Sequence, residues 1–141
     1  MTREEVAQPT PTPTPTPAAA IQEQPGPGGA TVKLTRVAVT GDVLTVQLLY
    51  VGGRVSYDYF PVQRVSAIDD ATSRQLGVLK DGAGNWLAAP LDNDGKQIRA
   101  ESGSPVGTVV WFKFPAPAAT SPTVSINIPN VGPFDGVPVA R

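Results

Sequence analysis

Pro and Thr alternate without a break from Pro9 to Pro17, and a second run rich in Pro and Gly continues to Gly29. Proline has no N–H to give a helix or an inner strand, and its ring fixes φ. Such a run is therefore confined to extended, polyproline-II-like backbone. From Ala30 onward the pattern changes to short apolar segments rich in Val, Leu and Thr, separated by turn residues. The chain divides into a Pro/Thr/Gly-rich flexible tether, residues 1–29, and one folded unit, residues 30–141. With so little apolar surface to offset the entropy of ordering, the tether is expected to lack a fixed position and to be removable at almost no loss of stability. The remaining chain is long enough to bury a core of its own.

The folded unit reads as strands. Thr31–Thr40 and Val43–Val51 flank Gly41-Asp42, a link in which glycine supplies the positive φ that a hairpin turn needs. In the second of these segments Leu44, Val46, Leu48 and Tyr50 share one face, the expected core face. Residues 55–60 put Val55, Tyr57 and Tyr59 on one face before Pro61 interrupts. Further strands are expected at 63–68, at 75–79 and 85–89 around the loop Lys80-Asp81-Gly82-Ala83-Gly84, and at 97–101 as a short edge. Residues 107–114 give the strongest strand, and 123–128 alternate cleanly. No segment carries a helical apolar stripe. Strands of this spacing predict an all-β chain, an antiparallel sandwich of about seven to nine strands. Its core is expected to include Val46, Leu48, Val110, Phe112, Ile126 and Ile128.

Composition excludes several kinds of chemistry. The chain has no histidine and no cysteine. That removes Ser-His-Asp and thiolate catalysis, disulfides and the commonest transition-metal ligands. Formal net charge is −1, with −2 on the tether and +1 on the rest, so no basic footprint for nucleic acid exists. No run of roughly 18 apolar residues could span a membrane. No cofactor is implied, and no enzyme activity is expected.

Two groups of residues remain as binding candidates. Tyr57, Tyr59 and Trp86 can offer aromatic faces to a peptide or a sugar, Trp86 beside a glycine-rich loop and the tyrosines on a strand. The competing reading makes Trp86 a core residue. Asp92 and Asp94, in Asp92-Asn93-Asp94-Gly95, suggest a calcium loop, but Pro90 stands where a third oxygen ligand belongs, and the same sequence makes an ordinary turn. Asp69, Asp70 and Asp81 could join them only if the loops converged at one end of the sandwich.

Four stretches carry a resemblance. Val46-Gln47-Leu48-Leu49-Tyr50-Val51-Gly52-Gly53 ends a strand in a glycine turn, and residues 68–88 form a central hairpin with its loop. Trp111-Phe112-Lys113-Phe114-Pro115 and Pro133-Phe134-Asp135-Gly136-Val137-Pro138 supply the penultimate and closing segments. Together they resemble the small immunoglobulin-like domains of bacterial lipoproteins and cell-envelope proteins, including modules that precede outer-membrane-protein-A-type domains. The resemblance implies a non-catalytic sandwich in the cell envelope, outside the cytoplasm, and the chain is expected to be a monomer. Pro/Thr spacers suit envelope stalks. Because Met1-Thr2-Arg3-Glu4-Glu5 is polar with no apolar signal core behind it, the expectation is the soluble part of an exported protein without its signal or anchor. Its function is expected to be that of a module interacting with a protein or envelope component. The alternatives are a structural spacer and a carbohydrate-binding module.

Overall fold

The computed structural model describes residues 20–141. The Pro/Thr alternation lies outside the described residues. Among the described residues eleven strands are present: β1 (Gln22–Pro25), β2 (Thr31–Thr40), β3 (Val43–Val51), β4 (Ser56–Pro61), β5 (Ser66–Asp69), β6 (Arg74–Gly77), β7 (Ala88–Ala89), β8 (Gln97–Ser102), β9 (Thr108–Pro115), β10 (Thr123–Asn127) and β11 (Phe134–Pro138). All strand pairings are antiparallel. They build a five-stranded sheet in the order β1-β2-β3-β9-β7, a four-stranded sheet β11-β10-β5-β6, and a two-stranded ribbon β4-β8.

β3 is the centre of the larger sheet because both its edges are paired and one face is wholly apolar. Leu44, Val46, Leu48 and Tyr50 are buried, opposite Phe114, Phe112, Val110 and Thr108 of β9. Across the sandwich Ala67, Val124, Ile126, Phe134 and Val137 close the same core, and all six expected core residues are buried in it. The β2–β3 turn needs only Gly41 and Asp42, with Gly41 at φ 63° and Thr40 opposite Val43.

The tether boundary needs correcting. Residues 22–25, expected to belong to it, are β1, in register with residues 31–34 of β2. Gly26 to Gly29 is the turn of this hairpin rather than a spacer: Pro27 to Gly29 forms a single 3-10 turn, with Gly28 at φ 68° and Gly29 at φ 78°. The Pro/Gly composition is the same in a spacer and in a tight turn, so composition could not separate them. The Gln22 and Gln24 side-chain amides donate to the Asp135 and Pro133 carbonyls, tying β1 to β11 as well.

Other boundaries also moved. Residues 62–64 form a 3-10 turn, so β5 starts at Ser66. The hairpin expected over 75–79 and 85–89 reduces to β6, β7 and one bridge between Lys80 and Trp86. β8 is no free edge. β4 pairs with one side of it, and on the other the Arg99 N–H donates to Pro90 O while the Asp92 N–H donates to Gln97 O.

A buried carboxylate fixes one end of the sandwich. Asp69 is 2 % exposed and accepts from the Ser121 hydroxyl and from the Ala118 and Ala71 N–H groups. Burial alone would raise its pKa. The donors, Ser121 foremost, then Ala118, Thr72 and Ala71, prevail and hold it at about 2.

Candidate functional site

Alternation along β4 sorts its side chains into two faces. Phe60 points inward, where its ring meets Phe112 of β9 at 6.4 Å between centroids, and Ile98 and Ala100 of β8 are buried beside it. This apolar underside pins the ribbon to the core, each large side chain contributing roughly 2–3 kcal/mol. The other face therefore stays in water. It carries Tyr57 at 44 % and Tyr59 at 47 % exposure, with Val55 just before the strand at 80 %. Both expected tyrosines thus lie together on an open surface.

Cross-strand register extends that face. Tyr57 stands opposite Glu101, Tyr59 opposite Arg99, and Pro61 opposite Gln97. The Arg99 guanidinium lies 4.1 Å from the Tyr57 ring centroid, a cation–π contact. Pro61 and Gln97 continue directly into a cleft of about 410 Å³, whose wall also includes Gln63, Lys80, Trp86, Asp94 and Lys96.

Trp86 is held in this wall by its own loop. Asp81 accepts from the Ala83 and Asn85 N–H groups at 2.9 and 3.0 Å, closing a turn that sets Lys80 opposite Trp86. These donors, Asn85 first, draw the Asp81 pKa below its ordinary value. The Trp86 ring is half-buried, packed on the core on one side, with the Lys80 ammonium 4.3 Å from its centroid. Trp86 therefore packs on the core on one side and lines the cleft on the other.

The aspartates do not converge. Asp69 turns inward to Ser121, and Asp70 accepts from Thr123 and Ser125 hydroxyls at 2.7 and 2.8 Å. The Asp92–Asp94 stretch is a turn: the Gly95 N–H donates to Asp92 O, and the Lys96 N–H to Asp94 Oδ1 at 2.9 Å. Among the described residues no three His, Cys, Asp or Glu side chains gather to hold a metal.

Gln63, Lys96, Gln97 and Arg99 are the surface residues that sequence reasoning did not attach to this site, whereas Lys80 belongs to the loop it had set beside the tyrosines. The β4–β8 register, linking segments some forty positions apart, brings Gln97 and Arg99 beside the tyrosines. What results is a strip of aromatic faces bordered by amides and amines, suited to stacking and hydrogen bonding. Comparison with protein-family models, with curated proteins and with solved structures found no match to this chain.

Proposed function

We propose that this chain is a non-catalytic interaction module. Its working surface is the strip Tyr57–Tyr59–Pro61 on β4 together with the cleft beside Trp86. One observation carries the reading: two tyrosines and Val55 stay exposed on a ribbon whose underside is anchored by Phe60. A spacer has no need of large apolar groups on a rigid outer face, and exposed aromatic patches are the usual mark of a contact surface. The resemblance to envelope immunoglobulin-like domains and the Pro/Thr run favour a protein or envelope component as partner, with the module displayed outside the cytoplasm.

A carbohydrate is the second reading. Trp86 stands beside Gln63, Gln97 and Lys96, the stacking face and the polar groups a sugar ring would use. The experiment is a Tyr57→Ala/Tyr59→Ala double variant, measured for stability and for binding to cell-envelope fractions and to soluble glycans. Retained stability with lost envelope binding supports the module. Unchanged binding by the variant would rule out the tyrosine strip, and no binding to any fraction by either protein would leave only a spacer.

A further inference from the structure

β4 has a second, unused recognition element, its own backbone. In an antiparallel ladder, residues alternate between pairs that bond to each other and pairs whose N–H and C=O groups point away. The Arg99 N–H and the Gln97 carbonyl bond away from β4, to Pro90 and Asp92, while the Val62 N–H donates to Lys96 O. Tyr59 opposite Arg99 and Tyr57 opposite Glu101 are therefore the outward-facing pairs. The N–H and C=O groups of Tyr57 and Tyr59 consequently leave the ribbon on its open side. Among the described residues they have no hydrogen-bond partner. Buried backbone groups are almost always paired, so this edge faces water. Edge strands are normally guarded by charges, proline or a bulge; between Ser56 and Phe60 the strand has no lysine, proline or bulge, its one charge is Asp58, and Pro61 closes it.

The geometry points to strand addition: an extended peptide segment of a partner protein, with a basic residue at its centre, pairs with the outer edge of β4 at Tyr57 and Tyr59. This rests on the reading of that face as an interaction surface and adds the conformation and charge of what binds. The charge follows from Asp58, which lies between the two tyrosines on the half-buried face. Its carboxylate accepts only from the Asn130 side-chain amide, at 3.1 and 3.2 Å, and no cation pairs with it among the described residues. The incoming residue opposite Asp58 sits across a narrow pair, where opposite charge is favourable and like charge is not. A second copy of this chain fits worse. The symmetric register that uses both tyrosines sets Asp58 against its own copy, and a register centred on Tyr57 runs into the bend at residues 52–55.

The test uses the full chain and a synthetic extended peptide of about seven residues, alternating Thr and Val around a central Lys. Amide exchange, read by NMR, should be fast at Tyr57 and Tyr59 in the free protein and slow about tenfold or more with peptide. N-methylating the peptide on the pairing edge should abolish the effect, and Asp58→Asn should weaken binding about fivefold. Equal binding of the N-methylated peptide would overturn strand addition while leaving the aromatic surface intact. Slow exchange at both tyrosines without peptide, no peptide binding at any central residue, or a concentration-dependent dimer would each overturn the proposal. Loss of envelope binding in the double tyrosine variant bears on the surface alone, so the two failures separate.

Discussion

Ser121 donates its hydroxyl hydrogen to Asp69 Oδ1 across 52 positions of chain, with both side chains buried. The bond joins the end of β5 to the loop before β10. Arg141 closes the same loop from outside, its guanidinium donating to the Ala118 and Ser121 carbonyls.

Asp69→Ala is expected to lower stability by about 3 kcal/mol, because it strands buried donors at Ser121 and Ala118. Ser121→Ala should cost about 1.5 kcal/mol, and a double-mutant cycle in urea should show coupling of about 1 kcal/mol or more.

The same carboxylate sets an acid limb. Its pKa in the fold is about 2, below the ordinary 3.8. Its contribution is therefore complete above the ordinary value and lost as pH falls from there toward 2. Asp69→Asn should flatten this part of the stability profile. A profile unchanged by that substitution would remove Asp69 as its source.

Tyr50 makes the opposite case. Its hydroxyl is buried with no partner among the described residues, and burial, then the charge of Asp58, push its pKa up. Tyr50→Phe removes an unsatisfied polar atom and keeps the ring, so thermal unfolding should show no loss and a gain of up to about 1 kcal/mol.

Trp86→Ala should cost about 2 kcal/mol, below the 3–5 kcal/mol of a fully buried aromatic, because one side of the ring lines the cleft. A loss of about 4 kcal/mol would make it a core residue and withdraw it from the proposed surface.

A chain beginning at residue 30 should melt roughly 5 °C or more below the full chain, since it lacks β1 and the Gln22 and Gln24 bonds to β11. Gly53→Ala should also be destabilising, by about 2 kcal/mol. Gly53 sits at φ 79°, and an added Cβ would lie 2.6 Å from the Ala30 nitrogen.

Period-two alternation determined the inner faces of β3, β9 and β10 from sequence alone, because each strand places successive side chains on opposite sides whatever its neighbours are. The Gly41-Asp42 turn was legible for the same reason: its geometry is local. Alternation also grouped Val55, Tyr57 and Tyr59, yet it could not say whether that face turns inward. Phe60 packing on Phe112 decided it, a contact between residues far apart in the chain. β1 was hidden because Pro and Gly serve a spacer and a tight turn equally, and only pairing with β2 separates the two. The cleft was invisible until register set Pro61 beside Gln97 and the Asp81 turn set Lys80 over Trp86. Local backbone preference is written residue by residue, whereas a surface exists only after distant strands have paired.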